Sequence, residues 1–98
     1  FSGTSALAAV NGGVEALGRA LAVELAPVRV NVLSPGFVRD TEAYAALSPE
    51  ERDGMFDEAA TRLPAALVGG PDSVAGPAVA LLASPYATGV VLDIDGGG

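Results

Sequence analysis

Ninety-eight residues allow one domain at most, and a chain this short buries only about two-thirds of the surface it exposes when unfolded. Half the residues are apolar, enough for a small core, but twelve acids against five arginines and no lysine give a net charge of −7, which argues against nucleic acid and anionic membrane as partners. The absence of cysteine excludes disulfides and thiol chemistry, and the absence of histidine removes the commonest general base and metal ligand.

Residues 1–8 are small and polar and read as a loop or a strand end. Val10, Val14, Leu17, Leu21 and Leu25 then recur every three or four residues, which predicts a helix over 9–26. Glu15 and Arg19 form an i, i+4 pair on its outer face. Ala9, Gly12, Gly13, Ala16 and Ala20 keep another face small, and two glycines inside a helix cost about 1 kcal/mol each. Close approach of another helix is the expected compensation.

Pro27 ends that helix. Val28, Val30 and Val32 alternate with Arg29 and Asn31 ahead of Leu33, which predicts a buried strand over 28–33, broken at Pro35-Gly36. A strand that follows a helix so closely is half of a βαβ unit. In open α/β sheets ligands bind beyond the carboxyl ends of strands, so Pro35-Gly36 and the loop after it are the place to look for function.

The longest loop region is 37–70. Inside it Ser48 is a good N-cap, Pro49 a good first helical residue, and Glu51 completes a capping box. Met55, Phe56, Ala59 and Leu63 give that short helix one apolar face. It is either a lid over a substrate or an ordinary surface helix. A further helix is expected over 71–84, with Val74, Ala78, Leu81 and Leu82 inward. Gly76-Pro77 predicts a kink or a broken first turn, with regular helix beginning near Pro77. Val90, Val91, Leu92 and Ile94 mark a second strand over 88–94, parallel to 28–33 through a right-handed crossover. Asp93 and Asp95 read as strand-end and turn residues, since two carboxylates alone make no metal site. No apolar run approaches the about 20 residues needed to span a bilayer. The first residue is Phe and nothing resembles a signal peptide, so the expectation is a piece of a longer, cytoplasmic chain.

Three patterns in this order resemble the short-chain dehydrogenase/reductase family. They are the helix followed by A-V-E-L-A-P-V-R-V-N-V-L-S-P-G (22–36), then Gly69-Gly70-Pro71-Asp72-Ser73-Val74-Ala75 with Leu81-Leu82-Ala83-Ser84, and Thr88 to Gly97 with its closing D-G-G. The resemblance implies an α/β fold, the C-terminal part of a doubly wound Rossmann-type parallel sheet. Its elements run helix, strand, helical lid, helix, strand, in a single partial domain over 1–98 with 37–70 as the substrate lid. It also implies an NAD(P)-dependent oxidoreductase (NADP or NAD) acting on a small carbonyl or alcohol. The family's homo-oligomer contacts would fall on helix 9–26 and the C-terminal strand.

By the same resemblance, the nicotinamide side of the cofactor would meet Pro35, Gly36, Phe37 and Val38. Thr41 stands one place later than the family's usual threonine, with Asp40 in its position. The alternative for Gly36 is a plain turn in which glycine supplies a positive φ. A dinucleotide site also needs a glycine-rich turn between strand and helix, and no such turn occurs in these residues. The family's catalytic Y-x-x-x-K falls on Leu7 and Asn11 when counted back from Glu15 without gaps. Phe1-Ser2-Gly3-Thr4-Ser5 is a superficial alternative that needs an insertion. In either register both groups are replaced: neither Leu nor Phe transfers a proton, and neither Asn nor Ser carries the activating cation. A divergent branch of the family resembles the chain more closely through Asn11-Gly12-Gly13 and Thr41-Glu42-Ala43-Tyr44. Ser2-Gly3 would then match the strand end that carries the family's serine, or be a plain loop. Tyr44 is either a substrate-side acid or a packing residue. Two functions stay open: a divergent reductase, and a non-catalytic module kept for cofactor binding or oligomerisation. A third possibility, an independently folding domain, predicts cooperative unfolding of the isolated chain.

Overall fold

A computed structural model describes residues 3–98. Helix α1 (Ser5–Glu24) leads into strand β1 (Val32–Pro35), a single 3-10 turn (Glu42–Tyr44), helix α2 (Pro49–Arg62), helix α3 (Pro71–Ala83) and strand β2 (Val91–Ile94). The strands pair in parallel with Val32 opposite Val91 and Pro35 opposite Ile94, so the connection carrying α2 and α3 is a crossover. Order, type and parallel pairing agree with the sequence.

Several boundaries differ. Helix α1 starts at Ser5, so the stretch 1–8 is not the expected loop throughout. Ala6, Leu7 and Ala8 are strong helix formers, and the Ala8 amide already donates to the Thr4 carbonyl at 2.9 Å. The helix ends at Glu24 rather than 26, because a residue just before proline is disfavoured in the α region.

The strand expected over 28–33 is displaced to Val32–Pro35. Val28 belongs to the turn after the helix, its amide donating to Leu25 at 2.8 Å. In the next three residues side-chain bonds flank a single backbone bond, from the Gly89 amide to the Val30 carbonyl at 2.7 Å. Arg29 donates from Nη1 to the Leu81 carbonyl at 2.8 Å and from Nη2 to that of Leu82 at 2.7 Å. Asn31 donates to the Ala87 carbonyl and accepts from the Val90 amide, each at 3.0 Å. The regular ladder opens only at Val32, whose amide donates to Val90, and β2 accordingly begins at Val91 rather than 88.

Helix α1 does not turn its large apolar stripe inward. Val10, Val14 and Leu17 are 61%, 50% and 55% exposed, while Gly18 and Ala22 are buried. A Cβ on Gly18 would collide with the Val32 side chain. Gly18 therefore lets the helix lie on β1. Gly12 and Gly13, expected to admit a second helix, face open space among the described residues.

Helix α2 follows expectation: Ser48 caps it by accepting from the Glu51 amide at 3.2 Å, and Phe56 is 3% exposed. Helix α3 runs unbroken through Pro77, against the expected kink or late start. Gly76 has no Cβ to meet the pyrrolidine ring, which removes part of the usual conflict at the residue before proline. Leu82, expected inward, is 76% exposed. Val74, Ala78 and Leu81 share the half-buried stripe, and Leu82 lies at its edge with no described element above it.

The buried apolar residues are Ala22, Phe56 and Val68. The radius of gyration is 15.5 Å, against about 13 Å for a compact domain of this length. Helix α1 is also 20 residues long and holds an 18-residue stretch of mean hydropathy 1.2, long and apolar enough by length and composition to cross a membrane. This corrects the expectation that no run approaches that length. Alanine and glycine supply much of that apolar length, which a search for large side chains passes over.

Candidate functional site

The two strands end side by side. Gly36 donates its amide to the Ile94 carbonyl at 3.0 Å, so the loop leaving β1 starts against the turn leaving β2. Gly36 is not among the positive-φ residues, which corrects the alternative that a left-handed turn requires it. Its requirement is close approach: a Cβ there would lie 2.7 Å from the Asp95 Cβ and 3.0 Å from the Asp95 Cα. The left-handed position in this loop is Asp40 at φ 61°, where a short polar side chain is tolerated. Asp95 is the turn residue expected of it, accepting from the Gly97 amide at 2.9 Å, and Asp93 is exposed. Among the described residues no group of carboxylates is placed to hold a metal ion.

Beyond Gly36 the backbone closes a loop. Val38 bridges Gly69 in parallel, and the Arg39 amide donates to the Gly69 carbonyl at 2.9 Å. Both ends of the 37–70 segment are thereby joined beside the strand ends. Phe37, Val38, Leu63, Ser73, Ile94 and Asp95 line a cleft of about 110 Å³ there. A second cleft, of about 260 Å³, lies between α1 and β1, where Asn11 and Glu15 face Ser34 and Pro35.

The structure thus gathers Phe37 and Val38 in one cleft and Asn11 with Pro35 in the other. Leu7, one turn before Asn11, is 57% exposed and lines neither. Asn11 offers an amide but no titrating proton. The Thr41 hydroxyl donates to the Val38 carbonyl at 3.3 Å and belongs to neither cleft. Tyr44 packs edge-to-face on Phe56, centroids 5.1 Å apart. Ser2 lies outside the described residues. Sequence reasoning passed over Gly18, Arg29 and Asn31, which set α1 and β1 in place, and Ser73, which lines the strand-end cleft. Two polar residues alternating with valines in an apolar strand were the available signal for Arg29 and Asn31.

Residues 1–98 match the enoyl-(acyl carrier protein) reductase family over their whole extent. The chain belongs to the short-chain dehydrogenase/reductase family. It is 41% identical over 98 residues to the 3-oxoacyl-[acyl-carrier-protein] reductase of Bos taurus, covering 98% of this chain and 38% of that protein. It is 42% identical to the galactitol 2-dehydrogenase (L-tagatose-forming) of Cereibacter sphaeroides, covering 95% of this chain and 37% of the relative. A solved small-chain dehydrogenase in complex with NADPH is 39% identical, with a TM-score of 0.90 over 99% of this chain and 44% of that one. This short-chain dehydrogenase/reductase chain therefore spans about two-fifths of the length of the curated relatives it matches. The Rossmann-type α/β architecture inferred from its sequence is shared with these structures.

Proposed function

We propose that this chain is the nicotinamide-side part of an NAD(P)-dependent oxidoreductase acting on a small carbonyl or alcohol. The observation that carries the proposal is the TM-score of 0.90, at 39% identity, to a dehydrogenase in complex with NADPH. The chain's own residues fit one end of such a cofactor. Pro35, Gly36, Phe37 and Val38 present backbone at the strand ends, with Thr41 just beyond. The glycine-rich strand-to-helix turn that would hold the pyrophosphate is not in this sequence. The bound cofactor would supply the hydride. The chain would orient it and exclude water, with 37–70 as a lid over the substrate, Tyr44 on the substrate side of that lid, and 1–98 as a single partial domain. Calorimetric titration of NADPH and NADH into the 98-residue chain, and into a polypeptide that adds the cofactor-binding half, tests this. Binding by the longer polypeptide alone is the expected result. No binding by either overturns the proposal.

A second reading, a non-catalytic module for cofactor binding or oligomerisation, is favoured by Leu7 and Asn11 at the family's Tyr and Lys positions. Turnover by the longer polypeptide would sink it. Under both readings we place homo-oligomer contacts on helix 9–26 and the C-terminal strand. The exposed Val10, Val14 and Leu17 support this, and sedimentation analysis tests it. A cytoplasmic location is part of the same proposal, supported by Glu15 and Arg19 in the middle of α1, where charge is expensive inside a bilayer.

A further inference from the structure

All positive side chains in this sequence are its five arginines. Arg29 is engaged by carbonyl oxygens and Arg62 pairs with Glu58. Arg39 and Arg52 are different. Together they line a cleft of about 150 Å³ between the loop leaving β1 and the first turns of α2. Both are half-buried, and neither guanidinium makes a hydrogen bond or ion pair among the described residues. The Arg39 guanidinium lies 5.3 Å from the centroid of Phe56, and its Nε is buried without a partner. A buried N–H left unmatched is unfavourable, and a guanidinium fork matches the two oxygens of a carboxylate or phosphate.

We infer that the Arg39–Arg52 cleft binds the oxyanion, carboxylate or phosphate, at the far end of a small acidic substrate. Asp40 and Asp53 line the same cleft and bring its formal charge to zero. A spherical anion such as chloride therefore gains little there, while a planar or tetrahedral oxyanion gains directional bonds from the forks. The cleft is about 150 Å³, a size that suits a small-molecule head group. Arg39 follows Val38 directly, which would put the acidic end under the lid and the reacting end at the strand ends. Calling the anion a substrate rests on the oxidoreductase proposal; affinity for an oxyanion does not.

The test is calorimetric titration of the full chain with inorganic phosphate and with succinate, against a constant sodium chloride background. Wild type, Arg39→Lys, Arg39→Gln, Arg52→Lys and Arg52→Gln are compared. The expected result is one saturable site, about tenfold weaker or more in either glutamine variant and partly retained in the lysine variants. Preference for phosphate or for succinate then identifies the source of the oxyanion. No saturable binding, or equal affinity in wild type and Arg52→Gln, overturns the assignment. Arg52 makes no ring contact with Phe56, which Arg39 does, so its variant reads the cleft even if Arg39→Gln unsettles the packing around Phe56. Oxyanion binding without NADPH binding by the longer polypeptide would overturn the oxidoreductase proposal and leave the cleft assigned.

Discussion

The two ends of the parallel strand pair are held by different means. At the amino end, Arg29 and Asn31 tie the approach to β1 onto the end of α3 and the approach to β2 through side-chain hydrogen bonds of 2.7 to 3.0 Å. At the carboxyl end, backbone bonds and close approach do the work: Gly36 to Ile94, Arg39 to Gly69, and the missing Cβ of Gly36 against Asp95. One end is clamped by long polar side chains. The other relies on backbone bonds, beside a cleft lined by Phe37, Val38 and Ile94, while a larger cleft of about 380 Å³ lies beside Arg29 and Asn31.

The contrast can be broken in graded steps. Gly36→Val should have the largest effect, about 3 kcal/mol of lost stability, because its side chain must displace Asp95 backbone rather than a flexible tip. A urea midpoint that does not move would show that the loop yields freely. Arg29→Ala should follow at about 2 kcal/mol, since the carbonyls at the end of α3 lose a charged donor while partly open to water. It should also loosen the amino end first, which amide hydrogen exchange at Gly89 and Val90 would register. Asn31→Ala should remove about 1.5 kcal/mol, read by thermal melting, because it leaves the Val90 amide without its partner and the Ala87 carbonyl with only the longer bond from Arg29.

Away from the strands the effects shrink. Ser48→Ala should lower stability by about 1 kcal/mol through loss of the α2 cap, with amide hydrogen exchange quickening in the first turn of α2. Tyr44→Phe should be the smallest, within about 0.5 kcal/mol, because its ring contact with Phe56 survives without the hydroxyl. If turnover by the longer polypeptide fell a hundredfold in Tyr44→Phe, the hydroxyl would be an acid and not a bystander.

Much of the fold was legible in local patterns. The S-P-E-E start of α2, the P-G loop and the order of helices and strands all follow from capping, periodicity and turn chemistry, which act over a few residues. The candidate site was legible only in outline. Pro35–Val38 could be placed beyond a strand, but not that Gly36 is needed for contact with Asp95, nor that Thr41 bonds back to Val38 and leaves both clefts. The pairing of Arg39 with Arg52 in one cleft had no signal in spacing.

The divide follows the range of the forces. Helix propensity, caps and proline are properties of neighbours along the chain, so residue order alone settled which elements form and roughly where. Strand boundaries were a different matter. Arg29 reaches a carbonyl 52 residues away and Asn31 one 56 residues away, and these bonds flank the one backbone bond, Gly89 to Val30, where alternation of valines would predict a full ladder. Which glycine admits a neighbour is likewise decided by what arrives opposite it. Gly18 meets Val32 while Gly12 and Gly13 meet nothing described, although the three look alike in a helical pattern. Packing partners distant in sequence set those outcomes, and only the folded chain brings them together.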